Sequence, residues 1–169
     1  IYDFYLLKNN LRVLDMLNVK YIIDLNESGN IELKINEDVM GSAWFVDEVQ
    51  KVTDSNQELL GLSSIDYKKT CLSTNLNNKT YPDSSENYIE IVDKRANQIT
   101  YKVSSNDTGF IVFSEAFYKK GWVAKINGEI TNHHKVNYLL RGLEVDKGEH
   151  EIVFTCLLYT SDAADDTRS

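Results

Sequence analysis

The chain has one proline, Pro82, two cysteines, three histidines and two methionines in 169 residues. No apolar run approaches the roughly 18 residues that a helix needs to cross a bilayer. So few cysteines supply neither a disulfide framework nor the paired thiols of a structural zinc site. Basic residues are short as well: 18 Lys and Arg stand against 26 Asp and Glu, a formal net charge of −8. No Lys/Arg cluster offsets that charge locally, which excludes a phosphate backbone as partner and disfavours anionic lipid headgroups. No GxSxG elbow is present for a serine nucleophile.

What is present is an ordinary globular composition, 42% hydrophobic and 11% aromatic, sized for one domain or one domain with an appendage. The frame opens on Ile1 without a secretory h-region and reads as a soluble piece of a longer protein. At the other end the alternation of residues 149–154 stops. Residues 156–169 show no matching pattern and resemble translated sequencing-adapter read-through. They are set aside here as one would set aside a fusion scar, which leaves Cys71 as the one cysteine and −6 as the charge of residues 1–155.

Leu6, Leu7, Leu11, Leu14 and Leu17 recur at spacings of three and four and predict a helix over about residues 5–17, stopped by Asn18. Residues 19–23 read as a buried strand and 31–35 as a strand with one wet face. Residues 43–49 read as one strand, and Ser55 with Glu58 gives a capping-box spacing for a short helix. A weak strand follows at 70–73. Residues 75–87, polar and holding Pro82, read as a linker between an α/β subdomain (1–74) and an antiparallel β-sandwich (88–155).

The sandwich reading rests on strands at regular spacing. Residues 88–92 and 98–103 flank a turn-forming stretch, 109–117 is a longer apolar strand, and Trp122, Ala124 and Ile126 alternate before Asn127-Gly128, a hairpin signal. Strands at 136–140, 142–145 and 151–154 complete the set. The predicted class is α+β, mostly β: a small N-terminal α/β element followed by a C-terminal antiparallel sandwich.

Several of these segments resemble one family. Residues 11–23 with Asn18, Tyr21 and Ile22, and residues 40–47 with Trp44 and Phe45, look like the segments that follow the membrane region of YfhO-type bacterial proteins. Residues 113–122 from Phe113 to Trp122, Ile126-Asn127-Gly128, and residues 137–150 from Asn137 to His150 look like its C-terminal module. The match runs in order through most of residues 1–155. The resemblance implies a polytopic parent similar to lipid-linked-sugar glycosyltransferases of the cell envelope, acting on polysaccharide or teichoic-acid-type polymers. It also implies that this region lies on the extracytoplasmic side of the bacterial cytoplasmic membrane. In such enzymes the acidic catalytic motif lies among the first membrane helices, so no catalytic residue carries over to this chain. The implied partners are the transmembrane portion of the same parent and an envelope glycan; no cofactor is implied. The alternative is a free-standing carbohydrate-binding β-sandwich.

Individual residues support no catalytic centre. His133 and His134 point to opposite faces of an extended segment and cannot share a metal ion; they read as solvated loop histidines. His150 sits at a turn, where its ring hydrogen-bonds nearby backbone. Glu115 and Asp146 lie near strand ends with nothing to set a hydrolytic separation. Among Phe117, Tyr118, Trp122 and Tyr138, core packing competes with sugar stacking. With Asn137 and Arg141 as a polar rim, the candidate ligand contacts are Tyr118, Trp122, Asn137, Tyr138 and Arg141.

Overall fold

The computed structural model describes residues 12–26 and 28–157. The elements are α1 (Arg12–Met16), β1 (Tyr21–Leu25), β2 (Ile31–Ile35), β3 (Ala43–Val46), β4 (Glu48–Lys51), α2 (Ser55–Gly61), β5 (Thr70–Ser73) and β6 (Lys79–Thr80). They continue with β7 (Tyr88–Arg95), β8 (Gln98–Ser105), β9 (Gly109–Ala116), β10 (Trp122–Ile126), β11 (Glu129–Thr131), β12 (His134–Val136), β13 (Leu140–Val145) and β14 (Gly148–Cys156). The expected class, α+β and mostly β, is what the chain adopts. Leu6, Leu7 and Leu11 of the predicted helix lie outside the described residues.

A five-stranded sheet, β11-β10-β14-β8-β7, faces a four-stranded one, β12-β13-β9-β3. Between them lies a core built on Tyr101, Phe113, Phe154, Ile111, Leu143 and Ile152. Phe113 meets Tyr101 and Phe154 edge-on, with both pairs of ring centroids 4.9 Å apart, the geometry that aromatic quadrupoles favour. The other face of the four-stranded sheet is covered too. Phe110, Val112 and Trp44 pack there against Met16 of α1 and Cys71 and Leu72 of β5. The four-stranded sheet is thus a middle layer, and β9, covered on both sides, carries the unbroken apolar run of a doubly buried strand.

Residues 43–49 form two strands rather than one. At Asp47 the chain leaves the middle sheet and enters a separate three-stranded sheet, β5-β4-β6, in which β4 and β5 run parallel. The segment 75–87 contributes β6, which pairs with β4, and Tyr81, whose ring centroid lies 5.9 Å from that of Phe110. β3, which precedes that segment, pairs with β9. Helix α2 is capped by Asp54, whose Oδ1 accepts from the amides of Asn56 and Gln57; Glu58 of the expected capping box is instead buried against the sheets. Cys156, set aside in the sequence reading, ends β14 as a buried residue: it pairs with Trp122, and its amide donates to the Asn97 carbonyl. A strand whose two neighbours are in place continues through it.

At the Asn127-Gly128 turn both residues have positive φ, 51° and 86°, and Ile126 pairs directly with Glu129. This is the two-residue turn whose twist suits a hairpin. The β1–β2 hairpin departs furthest from expectation. Its strands pair in register, but both are exposed: β2 on both faces, β1 at every position except a half-buried Ile22.

Candidate functional site

Where β10, β11, β12 and β13 converge, the sandwich end opens into a cleft of about 670 Å³ lined by Asn127, Glu129, Ile130, His134, Glu144, Asp146 and His150 among others. A second cavity of about 280 Å³, lined by Leu76, Asn78, Lys79, Tyr81 and Phe110, shares His134 and Glu144 with it. Together they make one groove with Glu144 on its dividing ridge. The position of Glu144 follows from β13, where it is the one exposed residue of an otherwise buried strand.

Glu144 Oε2 accepts from Tyr81 Oη at 2.7 Å and is also the partner of Lys79 Nζ. The Lys79 ammonium lies 4.9 Å from the Tyr81 ring centroid. Partial burial pushes the Glu144 carboxyl upward, but the hydrogen bonds from Lys79 and Tyr81 and the Lys79 charge outweigh it and hold the pKa below the ordinary value. Burial lowers the His134 pKa against the opposing pull of Glu144. The ridge is therefore a charged carboxylate beside a neutral imidazole at pH 7.

The far wall is fixed by Asn127. Its amide Nδ2 lies 3.1 Å from His150 Nδ1, and its Oδ1 accepts from the Glu151 amide at 2.9 Å. Because Nδ2 can only donate, His150 Nδ1 accepts, and Nε2 carries the proton toward the Asp146 carbonyl, 2.9 Å away. This is the backbone contact expected for His150.

The five residues expected to contact ligand lie elsewhere and divide into three environments. Arg141 is buried, stacked 4.4 Å from the Trp122 centroid and 5.1 Å from that of Phe154, and its Nε donates to the Ala116 carbonyl. Asn137 is also buried: its amide donates to the Leu72 carbonyl at 2.8 Å, and its Oδ1 accepts from the Leu72 amide at 2.9 Å. Neither forms a solvent-facing rim: both are buried, Asn137 bonded to β5 and Arg141 to the end of β9, with Arg141 Nη1 left without a hydrogen-bond partner. Tyr138 lies under the Lys135 ammonium at 5.3 Å, and only Tyr118 is openly exposed.

The histidines differ from expectation too. His133 is no solvated loop residue. Its ring sits edge-on to Phe154 at 5.6 Å and 5.1 Å from Phe117, and burial, with the nearby Arg141 charge and His134, lowers its pKa to about 4. The two rings do face opposite ways, one to the core and one to the groove. No cluster of metal-binding side chains occurs among the described residues.

Glu115 and Asp146 are separated by the register of β9 against β13. Ala116 pairs with Leu140 and Gly109 with Val145, which at about 3.3 Å per residue puts the two carboxylates roughly 20 Å apart. That is well beyond the roughly 5–9.5 Å of glycosidase pairs. Sequence reasoning missed Lys79, Tyr81, His134 and Glu144 because two separate sheets bring them together. The one local signal for Glu144 is a charged residue set between Leu143 and Val145, which points it away from the face those two bury.

Residues 70–159, just over half of the chain, match the model of a family described as "Bacterial membrane protein YfhO". The matched span contains every groove residue named here. No curated protein and no solved structure matches the chain. Among the described residues no helix is long and apolar enough to cross a membrane.

Proposed function

We propose, from the premise that this chain belongs to the YfhO family of bacterial membrane proteins, that it is an extracytoplasmic accessory domain whose groove holds an envelope glycan while another part of the parent performs transfer. The observation that carries the reading is the groove itself. It offers amide, imidazole, ammonium and carboxylate groups around an open cleft, with Tyr81 and Ile130 as apolar surfaces. Polar groups of both hydrogen-bonding kinds, set beside the exposed Ile130 side chain and the partly buried Tyr81, suit a polyhydroxylated ring. The separation of Glu115 from Asp146 removes that pair as a hydrolytic couple.

The charge of the lining narrows the ligand. Glu129, Glu144 and Asp146 face the cleft, so a phosphate-rich teichoic polymer meets repulsion and a neutral or amino-sugar polysaccharide does not. Isothermal titration of the purified chain with neutral, amino-sugar and phosphate-bearing envelope oligosaccharides tests this. Binding of the first two classes supports the reading; heat from the phosphate-bearing class alone, or from none, overturns it. Sidedness is tested by labelling an exposed cysteine introduced at Ser85 (S85C) of the full-length parent. A membrane-impermeant maleimide applied to intact cells labels an extracytoplasmic domain and spares a cytoplasmic one.

A further inference from the structure

We infer that the β1–β2 hairpin is a membrane-interface foot, which lays one apolar face on a zwitterionic lipid surface. Residues directly opposite in an antiparallel pair point to the same side, and here three such pairs stack: Tyr21 with Ile35, Ile23 with Leu33, and Leu25 with Ile31. All six are exposed, between 57% and 78%. Their combined surface is on the order of several hundred Å², the size at which a contiguous apolar patch marks an interaction site.

The charges of the two strands lie on the other side. Ile22 pairs with Lys34 and Asp24 with Glu32, and Lys34 Nζ lies 2.9 Å from Asp24 and 3.9 Å from Glu32. One face is wholly apolar; the opposite face carries a small ion-paired cluster. Lys20 Nζ sits 5.9 Å from the Tyr21 ring centroid at the hairpin's base. An aromatic ring beside a long basic side chain is the pairing that suits the boundary between headgroups and acyl chains.

Two features favour lipid over a protein cover. Six residues are few beside the roughly 20–30 that each side of a stable protein interface contributes, so a second copy of the chain gains too little from this face. The hairpin is also a two-stranded sheet with no further strand on either outer edge among the described residues. Those unpaired backbone groups need water, which the headgroup layer supplies at a depth of about 5–10 Å and the hydrocarbon centre does not. Membership of a family of membrane proteins puts a bilayer within reach. The inference uses that membership and not the glycan reading, so each can fail alone.

Flotation of the whole chain with phosphatidylcholine vesicles is the test, run beside a double variant, Ile23→Asp with Leu33→Asp. Wild type should float with the vesicles, the variant should bind at least about tenfold more weakly, and added phosphatidylglycerol should give no gain. Thermal melts of the two proteins should agree, because the replaced side chains are exposed. No flotation of wild type, equal flotation of the variant, or binding that requires anionic lipid would overturn the inference. So would a vesicle-indifferent dimer, seen by sedimentation equilibrium, that the two substitutions abolish.

Discussion

Lys135 Nζ stands 2.9 Å from Oε2 of Glu58, a carboxylate with no solvent exposure, and ties α2 to β12. Coulomb attraction is the main link, since neither Glu58 oxygen has an aligned hydrogen-bond donor. Removing one partner of such a pair strands the other without water or a counter-charge. Lys135→Met should therefore destabilise the domain by about 3–5 kcal/mol in urea unfolding, and Lys135→Met combined with Glu58→Gln should recover a substantial part of that loss. A double variant as unstable as the single one would contradict this account of the pair.

Asn137 separates backbone from side-chain effects. Its φ is +48°, a conformation that asparagine tolerates and alanine does not, and its side chain satisfies the Leu72 amide. Asn137→Ala loses both features, whereas Asn137→Gly loses only the side-chain hydrogen bonds, to the Leu72 amide and the Met16 sulfur. Chemical denaturation should show both variants destabilised, alanine more so by about 1 kcal/mol.

Acid should act first through His133. With its folded pKa near 4 against an ordinary 6.5, the unfolded chain binds the extra proton across that interval, so stability falls as pH drops from about 6.5 to 4. Proton NMR of the ring should give a midpoint near 4. His133→Phe should flatten the pH dependence of stability in the same window.

Glu144 has linkage of the same sign in a lower pH window. Its folded pKa lies below the ordinary 4.5, so its contribution is complete above that value and fades as pH falls through the lower folded one. The stability difference between wild type and Glu144→Gln should be constant near neutrality and shrink below pH 4.5.

Strand positions were largely legible in the sequence, because alternation and the Asn127-Gly128 turn report on local geometry. The family was legible for a similar reason: its ordered segments cover the strands of the sandwich. Layering was not. Nothing local reveals that the chain changes sheets at Asp47, or that Cys156 completes β14 beside Trp122; both depend on neighbours distant in sequence. Asn137 and Arg141 stood as candidate ligand contacts because they fall in the segment that carries the family resemblance, and local sequence does not separate a polar group that meets a glycan from one that meets backbone. Here Leu72 and the Trp122–Phe154 pair absorb them. The groove was hidden because Lys79 and Tyr81 lie in a segment read as a linker, some 63–65 residues from Glu144.

The groove is the centre of this account, and amide NMR during titration with neutral envelope oligosaccharides tests it most directly. The account predicts saturable shifts clustered at Asn127, His134, Glu144 and Tyr81, weakened at least about tenfold in Tyr81→Ala. Shifts confined to Tyr118 and Trp122, or none at saturating oligosaccharide, would contradict it.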